Sequence, residues 1–259
     1  MAKLTTNLKK LAAQVQDTCS CRPSLPRPVQ TPVASSCQEL LARQPSLESG
    51  VYDLMLGHLK VSVFCQMGNF GLGKGGWTPV MKIDGAQKTF HFDSLYWSNQ
   101  YGYNLRGGET AFDTQETKLP TYWMTPFTKI CLGMKIDQMN RFTLLTLGNK
   151  RADSLLSLIT DGDHRSKALG RDAWMKLVGP KAALSSNCIK EGFNVKVSEC
   201  KTRIGVIASQ GKDCNSCDSR IGFGTGGYPN DFNTCGDEAV LNPEKTHKHI
   251  TAMGYILVQ

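Results

Sequence analysis

Long apolar runs are missing from this 259-residue chain. No stretch approaches the roughly 18 consecutive apolar residues of a membrane-spanning helix, so no helical span is expected. The first residues, MAKLTTNLKKLAAQVQ, likewise lack the continuous apolar segment of a secretory leader. Runs of one charge are absent too. The formal net charge is +8, but the basic residues are scattered, with pairs such as Lys9-Lys10 and Lys150-Arg151. That pattern argues against a nucleic-acid partner and leaves solubility or an anionic surface as the use of the excess. Cys214 and Cys217 form the only C-x-x-C, whereas structural zinc needs two ligand pairs. Asp161-Gly162-Asp163 comes without the bidentate glutamate of an EF-hand and reads as a plain acidic turn. The glycine run at 222–227 has no preceding strand and following helix, so it is not a nucleotide loop. No catalytic set emerges: a nucleophilic cysteine needs a free thiolate and a neighbouring base, and disulfide pairing accounts better for the cysteines. The chain is expected not to be an enzyme.

Cysteine, by contrast, is plentiful. Ten are spread along the chain, which points to an oxidising compartment and structural disulfides. The expectation is therefore a secreted, extracellular protein whose leader has been removed or is missing from this sequence; reduced thiols inside a cell are the alternative.

Leu4, Leu8, Leu11 and Val15 are spaced four, three and four, a helical seam that wants a partner. Cys19 and Cys21 follow at once, so residues 1–21 read as a short coiled-coil stalk. Its cysteines would join chains into a disulfide-linked oligomer, a trimer ahead of a dimer; an amphipathic helix packed on its own domain is the alternative. Residues 22–35 carry Pro23, Pro26, Pro28 and Pro32 and form an extended linker. The main domain, 36–259, opens with a capping box of Ser36 and Glu39 and a short helix stopping before Pro45. Strands are expected at 50–56 and 59–66 around a turn at Gly57-His58, and at 76–83, 127–136, 141–147, 193–197, 202–208 and 250–258. Short helices are expected at 151–159 and 170–178. Tyr96, Trp97, Tyr122 and Trp123 are assigned to the core.

The stretch from Cys214 to Glu238, CNSCDSRIGFGTGGYPNDFNTCGDE, is dense in glycine, acid and amide. Gly222, Gly224, Gly226 and Gly227 argue for an irregular loop, braced by Cys214, Cys217 and Cys235. Asp218, Asp231, Asp237 and Glu238, with Asn215, Asn230 and Asn233, are hard oxygen donors of the kind calcium takes. A solvated, disulfide-held surface loop is the alternative.

SCQELLARQPSLESGVYDL, the cysteine at 65 and GKGGWTPVMKIDG together resemble the opening of a fibrinogen-like C-terminal domain. The order of cysteine, glycine run, Tyr-Pro and Cys-Gly-Asp in the C-terminal half is similar to the intelectin branch, the X-type lectins. YWSNQYGYNL, FDTQETKLPTYW, KICLGMKI, CDSRIGFGTGG and HITAMGYILVQ also resemble secreted fibrinogen-like proteins of stony-coral skeletal organic matrix. The resemblance implies an α+β fold with a central, mostly antiparallel sheet, short helices and long disulfide-braced loops. It also implies a Cys37–Cys65 pair. Cys188, Cys200, Cys214, Cys217 and Cys235 are assigned to further disulfides on the cysteine count, with their connectivity open.

For function, the resemblance implies a bound calcium ion whose open coordination position takes two sugar hydroxyls. Asp237 matches a calcium-ligating acid, Asn230 or Asp231 falls near a second ligand, and Asp218 and Glu116 match more loosely. Ser219, Tyr228, Glu238 and His247 are the expected ligand-binding residues. Two departures stand out: Ser219-Arg220 replaces the family's histidine, and AVLNPEKTHKHI lacks its aromatic box. The expectation is calcium-dependent binding of diol-bearing or anionic glycans, in glycan recognition or innate immunity. A matrix protein that kept the fold without sugar binding is the alternative.

Overall fold

The structure, a computed structural model, describes residues 33–241 and 246–259. The expected stalk, most of the linker, and Cys19 and Cys21 lie outside the described residues.

The domain begins with helix α1 (Cys37–Arg43). Ser36 Oγ accepts the Glu39 N–H at 3.1 Å, as the capping signature requires. The reciprocal half is shifted by one residue, because the Glu39 carboxylate accepts the N–H of Ser35 at 2.8 Å rather than that of Ser36. Replacing Ser36 by Ala leaves an N-terminal donor unpaired and is expected to cost about 1 kcal/mol in chemical denaturation, an effect that Ser36→Asp should not reproduce.

Strands β1 (Gly50–Leu56) and β2 (Leu59–Cys65) form an antiparallel hairpin with Leu56 opposite Leu59. Gly57 takes φ +62° in the two-residue turn, a conformation closed to most side chains. Alternation buries Leu54, Leu56, Val61 and Val63 against Leu40 of α1. Cys37 and Cys65 are bonded across this small core, as the resemblance implies.

A five-stranded sheet follows, in the order β4 (Thr117–Lys118), β3 (Thr78–Asp84), β13 (Met253–Val258), β5 (Lys129–Ile136) and β6 (Met139–Thr146). The C-terminal strand β13 sits in its middle, buried along its whole length. Ile256 and Val258 join the main core, while Tyr255 and Leu257 pack on the other face with Trp77 and Cys131. Trp97 and Tyr122 are fully buried, with the Tyr122 hydroxyl donating to the Trp97 carbonyl at 2.9 Å, so the aromatic set is core.

Two expected elements change. The helix expected over 151–159 begins only at Leu155, because Ser154 and Ser157 cap each other there; it is α3 (Leu155–Ile159), after the short α2 (Thr121–Met124). The single strand expected over 250–258 is two strands in different sheets. The chain changes sheet at Ala252, whose N–H donates to the Cys235 carbonyl and whose carbonyl accepts from Gly85.

The second sheet has six antiparallel strands in the order β12 (Thr246–Thr251), β11 (Cys235–Leu241), β10 (Ser219–Gly226), β9 (Cys200–Ser209), β8 (Asn187–Val197) and β7 (Arg165–Ser166). Helix α4 (Arg171–Val178) packs Trp174 and Leu177 into the main core. The described residues thus form antiparallel sheets with few short helices and three disulfides. Among the described residues, no helix is long and apolar enough to cross a membrane.

Candidate functional site

Ser219–Gly226 is not a loop but strand β10, buried on both faces between β9 and β11. The glycines serve close packing. A Cβ on Gly222 would lie 2.2 Å from Thr202 Oγ1, and one on Gly224, at φ +63°, would lie 2.3 Å from the Trp97 ring. Large neighbours fill the space that side chains would otherwise take. Cys188–Cys214 and Cys200–Cys217 pin the segment leading into this strand. Cys235 takes no part: it is a buried free thiol, as is Cys131. The two lie in separate core clusters, and Cys235 Sγ packs into the space left by the missing side chain of Gly254.

Side chains alternate across the sheet. Ile221 and Phe223 face the main core, and Arg220 faces the other way, beneath the turn that joins β10 to β11. Its guanidinium is fully buried and donates to the carbonyls of Gly227, at 3.0 Å, Tyr228 and Asn230. The turn is folded over its own strand with Arg220 as the peg. Burial lowers the Arg220 pKa to about 10, against the opposing charges of Glu238 and Asp231, so it stays a cation at neutral pH.

Glu238 lies opposite Arg220 on β11 and opposite His249 on β12. Its Oε1 accepts from Asn233 Nδ2 at 2.7 Å and Asn230 Nδ2 at 3.4 Å, and it meets His249 Nδ1. His249 Nδ1 also lies 3.1 Å from Asn230 Nδ2, and its Nε2 lies 2.9 Å from Thr251 Oγ1. Farther along the turn, Asp231 Oδ1 meets His91 Nε2 at 2.8 Å and accepts the Gly227 N–H at 2.6 Å. Burial pushes the Asp231 carboxyl up, but the Gly227 amide, His91 and Lys88 outweigh it and the net shift is downward.

Beside the turn lies a groove of about 270 Å³, walled by Tyr228, Glu199, Ser198, Ser216, Asp218 and the Cys200–Cys217 disulfide. Tyr228 is 41% exposed and Phe232, on the same turn, 67%, with the Lys88 ammonium 3.9 Å above the Phe232 ring. An aromatic face, carboxylates and hydroxyls around one concavity can stack on a sugar ring and exchange hydrogen bonds with its hydroxyls. Nothing in this set makes an activated nucleophile.

The residues expected to share one calcium ion are not brought together. Asn230 and Glu238 meet, and Asp231 stands apart with His91. Asp218 Oδ2 accepts the Gln210 N–H at 2.6 Å. Glu116 accepts the Asp84 N–H at 3.1 Å; burial raises its pKa, with Asp84 adding to the rise while the Thr89 and Asp84 hydrogen bonds lower it. Asp237 points to the opposite face of the sheet from Glu238. Its Oδ2 accepts the Ala183 N–H at 2.7 Å and its Oδ1 is buried without a partner. Burial raises the Asp237 pKa to about 7, the Ala183 amide and Lys248 offsetting part of the rise and Glu238 adding to it. No group of three or more His, Cys, Asp or Glu side chains able to hold a metal ion occurs among the described residues. The donors present do not fit one calcium site, and no step is routed through such an ion.

One expected ligand-binding residue also changes role. Ser219 is fully buried and its Oγ accepts the Ser185 N–H at 2.8 Å. His247 is exposed on β12, opposite Val240 and two residues along from His249. The organising residue, Arg220, was legible only as a departure from the family pattern. The signal that exposes it is the period-two alternation of Arg220, Ile221, Gly222 and Phe223.

No protein-family model matches the chain, and no curated protein is significantly similar to it.

Proposed function

We propose that the chain is a secreted fibrinogen-like recognition protein of the intelectin branch that binds glycans at the groove beside Tyr228, without chemical turnover. The observation that carries this reading is the groove itself: a half-exposed tyrosine set against Glu199, Asp218 and serine hydroxyls, on a turn held by Arg220. The three disulfides support an extracellular setting. Oligomerisation through the N-terminal cysteines would convert weak single sites into avidity.

The test is a glycan array followed by calorimetry on the best neutral ligand, with and without a calcium chelator. Tyr228→Ala should weaken binding about tenfold, the equivalent of about 1.4 kcal/mol, and Tyr228→Phe much less. Binding that survives the chelator supports recognition by hydrogen bonds and stacking; binding abolished by it returns the ion to the site. The dispersal of the acidic side chains favours a second reading, an extracellular or skeletal matrix protein that has lost sugar binding. An array without signal, from protein of native stability, selects it.

A further inference from the structure

On the other side of the six-stranded sheet, the segment 182–186 crosses β10 and β11, tied by the Ala183–Asp237 and Ser185–Ser219 hydrogen bonds. Between it and β12 opens a groove of about 430 Å³, walled in part by Arg171, Lys248, Gln210, Ser185 and Ser186. We infer that this groove is a second binding site, for the sulfate group of a sulfated glycan. It does not share a wall with the groove beside Tyr228 and does not depend on that reading.

Two cations line the groove and no acidic side chain does. Arg171 is held in one orientation, since its Nε donates to the Leu184 and Ser185 carbonyls at 3.2 and 3.3 Å and its Nη2 donates to the Leu184 carbonyl as well. Its nearest carboxylate, the exposed Asp172, is 3.9 Å from Nη1. Lys248 makes no ion pair among the described residues. Ser185 has its N–H paired to Ser219 and its carbonyl to Arg171, yet its hydroxyl is buried with no partner. That hydroxyl is closed off from the groove, whereas Ser186 beside it lines the groove and is exposed, so the Ser186 hydroxyl is the one an incoming oxyanion can reach.

The wall thus offers a guanidinium, an ammonium and a hydroxyl, donors that a tetrahedral anion accepts from. Asp237, a buried acid that feels the Lys248 charge, does not line the groove. The volume is larger than a lone sulfate ion needs, which favours the same anion carried on a sugar ring. A basic chain, at net charge +8, would add long-range attraction.

Calorimetry with a sulfated heparin-type disaccharide, its unsulfated parent and sodium sulfate, all at one ionic strength, tests the assignment. The wild type should bind the sulfated disaccharide, with affinity falling as salt rises. Lys248→Gln should weaken binding about tenfold and Ser186→Ala about threefold, in the range expected for lost charged and neutral hydrogen bonds. Lys60→Gln, a remote control on β2, should leave it unchanged. Equal losses for Lys248→Gln and Lys60→Gln would assign the attraction to the surface at large and overturn the site. Sodium sulfate binding as tightly as the disaccharide would overturn the glycan assignment, and so would equal binding of the unsulfated parent. A melting curve of Lys248→Gln that matches the wild type separates a binding loss from misfolding.

Discussion

Replacing Arg220 by Met is expected to destabilise the domain by about 3–5 kcal/mol, the range for removing one member of a buried charge network. The guanidinium is fully buried and serves the carbonyls of Gly227, Tyr228 and Asn230 while offsetting the charge of Glu238. Methionine fills much of the volume but donates nothing, so the three carbonyls and one carboxylate lose their counterpart together. The turn should come away from its strand. Glycan binding at the Tyr228 groove should then be lost, because Tyr228 is held through its own carbonyl. Arg220→Lys keeps the charge but cannot span three acceptors, and should fall between the two. Urea denaturation measures the loss, and the Arg220→Met/Glu238→Gln double variant apportions it. If charge compensation dominates, the double variant recovers part of the stability; if Arg220→Met lies within about 1 kcal/mol of the wild type, the peg is not what holds the turn.

The second large effect is a pH dependence carried by Asp237. Its carboxyl is fully buried with one oxygen unpartnered, and its pKa stands at about 7, against about 3.9 in an unfolded chain. The folded state therefore holds this proton more tightly than the unfolded state does. Below pH 4 both states are protonated and the group costs nothing. As pH rises from 4 to 7 the unfolded chain ionises first, and folding pays a growing penalty that levels off above 7. A shift of this size corresponds to about 4 kcal/mol.

Asp237→Asn keeps an oxygen for the Ala183 N–H and removes the titration. Measured by urea denaturation in chelator, the variant should match the wild type near pH 4 and exceed it by about that amount at pH 8. A gap that stays constant with pH would show that Asp237 is not the titrating group. Adding millimolar calcium to the wild type at pH 8 extends the test. A cation at the unpartnered oxygen would close the gap, and an unchanged gap would leave the acid without a metal partner.

Much of the architecture was legible because it rests on local rules. The hairpin of β1 and β2 could be placed from its alternation and its Gly57 turn, and α1 from the Ser36 cap and Pro45. Trp174 and Leu177 were readable as one face of a helix. The candidate site was far less legible. Glycine density in 222–227 suggests an irregular loop when residues are read singly, and the acids of 218–238 look adjacent when only sequence distance is counted. In a strand, neighbours point apart: Asp237 and Glu238 end on opposite faces, one against Ala183 and the other against Asn233 and His249.

Composition and spacing by themselves pointed to a disulfide-bearing chain of strands and short helices with no long apolar run, and the antiparallel sheet was implied by the resemblance. Only the tertiary structure decided that the glycines of β10 make room for Trp97 and Thr202, that Cys235 stays a thiol, and that Arg220 rather than a metal-binding acid organises the turn. The reason is physical. A cap or a hairpin turn is decided by residues a few positions apart, whereas the volume available to a side chain and the partners of a buried charge are set by segments that meet only when the sheets close on each other.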